Sequence, residues 1–431
     1  MHMNMLIRGG QVIDPGRFNG SADVLIVDGK ISAIDKKLQV KDENLRVVDA
    51  KDYIVCPGFV DLHVHFREPG FEYKETIASG VASAVAGGFT AVCCMPNTKP
   101  VNDCQAVTDL ILKQAERAHK ARVYPIGAIT KGSEGKELAE IGELYESGCV
   151  AISDDGRPVM NGFIMRRAME YAKTFNLPVV DHCEDLHLTN GGSMHEGLVS
   201  TEMGIPGIPA AAEDVMVARN VALAEMTGAR LHLAHVSTVG SVRSIREAKA
   251  RGLPVTAEVC PHHFTLTDEA VRAFNTNAKM NPPLRTNTDI TAVREGLQDG
   301  TIDAIATDHA PHAVQEKELQ FDEAPFGIVG LETALPLTLR LVEEGVLSLE
   351  DAIAKLTKGP AQAFNLTDGT LSVGANADLV LIDPQQEWTI DPTKFHSKGR
   401  NTPFAGWQVK GKVMLTIVSG EIVFEDTASS G

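Results

Sequence analysis

Between residues 57 and 307 the sequence carries eight apolar runs, near 57–66, 89–94, 122–128, 149–153, 178–182, 230–236, 255–260 and 302–307. Each is followed by a stretch that can be helical, among them 106–119, 163–175, 213–227 and 239–251. A strand apolar along its whole length, rather than at alternate positions, must be covered on both faces. Alternation with helices makes neighbouring strands parallel. Eight such repeats fit a parallel α/β barrel of the TIM (β/α)8 type, which needs about 250 residues; spacing alone also admits seven or nine.

The two ends obey a different grammar. Short strands are expected at 5–8, 24–27 and 30–34, with a turn at Asp28-Gly29, and again at 377–383, 413–418 and 421–424, with a turn at Ser419-Gly420. This is hairpin patterning with no room for a long helix. The expected organisation is one small β-sandwich domain assembled from residues 1–55 and 366–431, around a catalytic barrel of residues 56–365.

Composition narrows the partners. A net charge of -17 over 431 residues argues against a nucleic-acid backbone, whose binding needs clustered Lys and Arg. It leaves room for a small anionic substrate, which responds to a local arginine. The seven cysteines form no C-x-x-C pair and sit mostly in apolar runs, as reduced buried thiols do. With no long apolar segment and no signal-peptide pattern, a soluble cytoplasmic protein is expected.

In parallel barrels, chemistry sits at the carboxyl ends of strands. Strand 1 ends in His63 and His65, two imidazoles on one face with Arg67 two residues on. Strand 4 ends in Asp154-Asp155, strand 5 in Asp181-His182-Cys183-Glu184, strand 6 in His235, and strand 8 in Asp308-His309 with His312 beyond. Any one of these alone reads more readily as structural or surface, and Asp154-Asp155-Gly156 alone as a turn with a helix cap. Together, four histidines and two aspartates suffice for two metal ions sharing a bridge. His2, His119, His187, His195 and His396 fall outside the pattern and are expected in solvent. His232 alternates away from His235, toward the core or the helices, and His262 and His263 end strand 7 without an assigned role. Cys183 is expected to pack.

The segment 61–69, Asp-Leu-His-Val-His-Phe-Arg-Glu-Pro, and the segment 306–317, Ala-Thr-Asp-His-Ala-Pro-His-Ala-Val-Gln-Glu-Lys, resemble the two signatures of the dihydroorotases of the amidohydrolase superfamily. Met-Pro-Asn-Thr at 95–98, Asn-Pro-Pro-Leu-Arg at 281–285 and the return to strands from 369 to 380 extend the resemblance over nearly the whole chain. It implies that His63 and His65 hold one zinc and His182 and His235 another, with Asp155 bridging. Asp155 is preferred over Asp154 for its spacing to His182. Asp308 would bind the first zinc and serve as general acid and base toward a metal-bound hydroxide. Arg67, Asn97 and His312, with His65 beside them, would hold a substrate carboxylate, and Asn281 the ring. The Phe326-Gly327 backbone would complete the pocket, and 313–325 would form a loop near the substrate.

The implied reaction is the reversible cyclisation of N-carbamoyl-L-aspartate to dihydroorotate in pyrimidine synthesis. Strand 4 offers no lysine for the carboxylated-lysine bridge of hydantoinases, allantoinases and dihydropyrimidinases. The match is to the aspartate-bridged bacterial branch, and occupancy of the second zinc stays open. Arg67 also argues against those cyclic amidases, whose substrates lack a ring carboxylate; its alternative is a surface ion pair with Glu68. A silent scaffold for aspartate transcarbamoylase is the competing class, although every ligand position is filled. A homodimer and an association with aspartate transcarbamoylase also stay open.

Overall fold

The computed structural model describes residues 4–41 and 44–426; His2 lies outside them. Eight strands, Phe59–Val64, Phe89–Cys94, Arg122–Gly127, Ala151–Ser153, Val179–Asp181, Leu231–Leu233, Val255–Val259 and Ala304–Ile305, pair in parallel in sequence order. They are numbered barrel strands 1 to 8 below. The edges meet where Val64 bridges His309 and the His65 amide donates to the His309 carbonyl at 2.9 Å. The eight apolar runs thus become the eight staves of the barrel.

Strands 1 and 2 are buried at every residue, as runs without alternation require. Inside the barrel, Val60, Leu62, Ala91, Cys93, Ile126, Ala151, Val180, Ala304 and Ala306 form one apolar cluster. A larger cluster lies between the strands and the surrounding helices, including Gln105–Ala118, Gly162–Thr174, Ala211–Thr227 and Val239–Ala250. Asn161 starts the Gly162–Thr174 helix by accepting from the Phe163 amide at 2.9 Å. Thr238 does the same for Val239–Ala250, accepting from Ser241 at 3.1 Å.

The chain ends share one sheet. Ile54–Pro57 pairs in parallel with Met5–Asp14 and antiparallel with Leu379–Thr389, so it joins the two ends of the sequence. Phe18–Val27 and Lys30–Asp35 continue one side; Gln408–Val418 and Glu421–Glu425 continue the other. Asp28 and Gly29 have φ of 50° and 74°, and Ser419 and Gly420 have 50° and 80°. Two successive positive φ values are those of a type I′ turn, which matches the right-handed twist of its flanking strands. The Asp28-Gly29 turn reaches the segment that enters Leu379–Thr389: the Ala377 amide donates to the Gly29 carbonyl at 2.8 Å. The core of the sheet draws Ile7, Val24 and Ile31 from one end of the chain and Leu379, Leu381 and Ile417 from the other.

Candidate metal centre and active site

His63 and His65 leave barrel strand 1 on the same side and reach the mouth of the barrel. Asp61, two residues earlier, accepts from the His63 amide at 3.0 Å and from the Thr307 hydroxyl at 2.6 Å, tying strand 1 to the segment that carries Asp308. Burial pushes the Asp61 carboxyl up to about 7, against its hydrogen bonds from Thr307 and His63.

The ligand-type side chains converge on Asp155. Its Oδ1 lies 3.3 Å from His63 Nε2, 3.6 Å from His235 Nε2 and 3.7 Å from His182 Nδ1, and its Oδ2 lies 3.5 Å from His65 Nε2. Asp308 Oδ1 is 2.9 Å from His65 Nε2 and 3.5 Å from His63 Nε2. All six side chains are buried. Asp154 points elsewhere: it accepts from the amides of Ile129 and Thr130 at 2.9 and 3.1 Å and from the Thr130 hydroxyl, holding the loop after strand 3.

Whether this set suits a metal is answered by the outer nitrogens. His63 Nδ1 meets Glu258 Oε1 at 2.8 Å, His65 Nδ1 meets Asn97 Oδ1 at 2.9 Å, and His182 Nε2 meets Glu184 Oε2 at 2.9 Å. An oxygen acceptor fixes the proton on the outer nitrogen and leaves a lone pair on the inner one, the arrangement metal-bound imidazoles adopt. His63 Nε2 and Asp155 Oδ1 are buried without a hydrogen-bond partner. Donor atoms of His63, His65 and Asp308, and of His63, Asp155 and His235, cluster within 4.8 Å. The donor set therefore fits one or more divalent ions. His235 and Asp308 sit at φ of 32° and 47°, a region costly for side-chain-bearing residues and concentrated at functional sites.

Beside this cluster lies a cationic group around Arg67 and Lys74. Arg67, itself at φ 62°, donates through Nε to the Pro311 carbonyl at 3.3 Å, and its Nη2 lies 3.4 Å from His312 Nε2. Glu68 is not its partner: that carboxylate accepts from the Ile77 amide at 2.9 Å and from Gln114 at 2.7 Å. His312 Nε2 lies 2.8 Å from the Phe326 carbonyl and Nδ1 lies 3.3 Å from Lys74 Nζ, which sets the proton on Nε2. Burial, then Arg67, Lys74 and Lys317, hold its imidazole well below the ordinary histidine range, so it is neutral. Gly327 has φ 145°, and a Cβ there would lie 2.7 Å from the Ala310 carbonyl and 2.9 Å from the His312 ring. Only glycine lets the backbone pass so close.

Asn97 Nδ2 reaches Asp155 Oδ2 at 3.4 Å, and Asn281 Nδ2 reaches Glu184 Oε2 at 2.9 Å, so both amides border the cluster. The 313–325 segment contains a short helix, Val314–Lys317, and is fastened by two lysines. Lys317 Nζ donates to the Pro325 carbonyl at 2.7 Å; Lys279 Nζ donates to Phe321 and Asp322 at 2.6 and 3.0 Å.

Several residues escape sequence reading. Glu258 links His63 to His232, whose Nε2 is 3.1 Å from Glu258 Oε2; His232 is thus core, facing the barrel interior. Burial would raise the Glu258 carboxyl, but hydrogen bonds from His232 and His63 bring it down to about 2. A glutamate inside the apolar run 255–260 was the available signal. Lys74 carried none beyond proximity to signature residues, and Glu184, at the end of strand 5, had no role assigned. His195, expected in solvent, is 8% exposed, and Arg285 Nη1 lies 3.2 Å from its Nδ1. His119, His187 and His396 are exposed. All seven cysteines are free and six are buried, with Cys104 exposed. Among the described residues no helix is long and apolar enough to cross a membrane.

Residues 54–423 match the Amidohydrolase family, and the chain belongs to it. Within that family it falls among the dihydroorotases. Dihydroorotases of Anaeromyxobacter sp. (strain K) and Syntrophus aciditrophicus (strain SB) are 59% and 54% identical to it, over 98% of this chain and 98% and 100% of theirs. Among solved structures, the L-hydantoinase (dihydropyrimidinase) of Arthrobacter aurescens aligns with a TM-score of 0.89 at 26% identity, covering 99% of this chain and 96% of that one. The D-hydantoinase (dihydropyrimidinase) of Thermus sp. aligns at 0.81 and 27%, covering 98% and 95%.

Proposed function

We propose that this dihydroorotase interconverts N-carbamoyl-L-aspartate and (S)-dihydroorotate in pyrimidine synthesis, using zinc held by His63, His65, Asp155, His182, His235 and Asp308. The observation that carries the reading is a metal-type cluster with Arg67 and His312 beside it, which would pair a hydrolytic centre with a holder for a carboxylate. His63, His65 and Asp308 would hold one ion and His182 and His235 a second, with Asp155 within reach of both sets. A bound zinc supplies Lewis-acid polarisation of the scissile carbonyl and lowers the pKa of water from about 15.7 to about 7.

The residues do the rest. Arg67 offers a planar fork that pairs with the ring carboxylate through charge-assisted bonds. Asn97 adds a donor at the same group, His312 lies beside it with its Nε2–H held by the Phe326 carbonyl, and Asn281 and the Phe326-Gly327 backbone border the ring. In the hydrolytic direction a water oxygen attacks the ring amide carbon. Asp308 accepts the proton that water loses and delivers it to the departing ring nitrogen, a poor leaving group until protonated. In the cyclising direction the same carboxyl moves the proton in reverse.

The neighbouring cyclic amidases are disfavoured by Arg67, because hydantoin and dihydropyrimidine rings carry no carboxylate for it. Turnover of carbamoyl aspartate compared with hydantoin and dihydrouracil tests the reading: activity confined to the first supports it, and preference for the unsubstituted rings overturns it. We also propose that residues 56–365 act as the catalytic domain within a small domain of residues 1–55 and 366–431, and that the enzyme works in the cytoplasm. Light scattering alone and with aspartate transcarbamoylase tests the homodimer and the hetero-assembly.

A further inference from the structure

Barrel strand 7 ends in a second group of metal-type donors that the reaction does not use. Cys260 follows the strand, and His262 and His263 lie on the short helix Pro261–Thr265. Their exposures are 0%, 1% and 4%, and one donor atom from each lies within 4.8 Å of the others. The two imidazole ring centroids lie 4.3 Å apart with the ring planes tilted by 59°. His263 Nε2 donates to the Pro282 carbonyl at 2.8 Å, since a carbonyl only accepts; its proton is therefore on Nε2 and a lone pair is on Nδ1.

Four imidazole nitrogens are buried without a partner among the described residues, and two of them belong here: His262 Nε2 and His263 Nδ1. Buried polar atoms normally find a partner, so two orphans in one cluster call for an explanation. Burial holds both imidazoles below the ordinary histidine range, His263 at about 4, so both are in the neutral form that binds metals.

We propose that Cys260, His262 and His263 form a separate site for a divalent ion of the zinc and cobalt class, distinct from the centre around Asp155. One thiolate and two imidazoles are donors this class accepts, and small ring rotations bring atoms this close to about 2.0–2.3 Å from one ion. The ion would take up both orphan nitrogens and displace the Cys260 proton to solvent. Through the His263–Pro282 bond it would pin the 281–285 segment, which carries Asn281. Its role is positional.

Cobalt reports this site selectively, because no ligand assigned to the Asp155 centre is a thiolate. Full-length protein stripped with chelator is titrated with Co(II) while near-ultraviolet absorbance is followed. The expected result is a sulfur-to-cobalt charge-transfer band that saturates at one ion per chain. It should disappear in Cys260→Ser and Cys260→Ala, persist in Cys183→Ser, and need at least about tenfold more cobalt in His263→Asn. The wild-type titration and the Cys183→Ser control decide even where a Cys260 variant fails to fold. No charge-transfer band at full cobalt loading, or a band that survives loss of Cys260 or vanishes with Cys183, would overturn the proposal.

Discussion

His182 Nδ1 and His235 Nε2 lie 2.9 Å apart, and both face Asp155 Oδ1, at 3.7 and 3.6 Å. In the proposed centre these three side chains, with an outer acceptor on His182, would hold one ion. His235→Ala is therefore expected to lower bound metal by about one equivalent per chain and to abolish turnover, with the circular dichroism spectrum unchanged. Elemental analysis after gel filtration checks it; full metal content in the variant would remove His235 from the centre.

Arg67 tests the substrate side independently. A charge-assisted hydrogen bond contributes about 1.5–3 kcal/mol, so Arg67→Met should raise KM by about 10- to 100-fold while metal content stays at the wild-type value. Steady-state kinetics in both directions measure this. An unchanged KM would place the substrate carboxylate elsewhere.

Asp308→Asn keeps the size of the side chain and removes its proton acceptor. Loss of general acid–base catalysis costs about 10²- to 10⁴-fold, so kcat should fall by at least that much in both directions. Retention of a tenth or more of the wild-type rate would assign the proton to another group.

Glu258 acts through His63. Its carboxylate fixes the His63 proton on Nδ1 from 2.8 Å, and loss of such an outer partner weakens metal binding by about 10- to 100-fold. In Glu258→Gln, competition with a metallochromic chelator should show that weakening while the fold is retained.

Gly327→Ala joins stability to binding. The added methyl meets the Ala310 carbonyl at 2.7 Å and the His312 ring at 2.9 Å. A residue forced into such a backbone region costs about 1–3 kcal/mol. Calorimetry should show a lower Tm, and kinetics a higher KM from the displaced His312.

The barrel was legible because strands covered on both faces must be apolar throughout, and the two I′ turns because Asp-Gly and Ser-Gly tolerate positive φ. The signature residues were legible in part from their places at strand ends. Choosing Asp155 over Asp154 was not a matter of local pattern: the two are chain neighbours, and what separates them is that Asp154 meets the amides of Ile129 and Thr130, more than twenty residues back. Glu258, Lys74 and the buried state of His195 depend on partners distant in sequence, His195 meeting Arg285 90 residues away. Periodicity reports which face is buried; it says nothing about which polar partner waits there.

The central claim is that one metal-loaded centre turns over a carboxylate-bearing ring. The most direct measurement is metal stoichiometry and carbamoyl aspartate turnover on the same purified sample, before and after chelation and after zinc is restored. Activity that falls with the metal bound by His63, His65, Asp155, His182, His235 and Asp308, and returns with zinc, is the predicted result. Full turnover in metal-free protein, or a fully loaded protein inert toward carbamoyl aspartate and dihydroorotate, would contradict it.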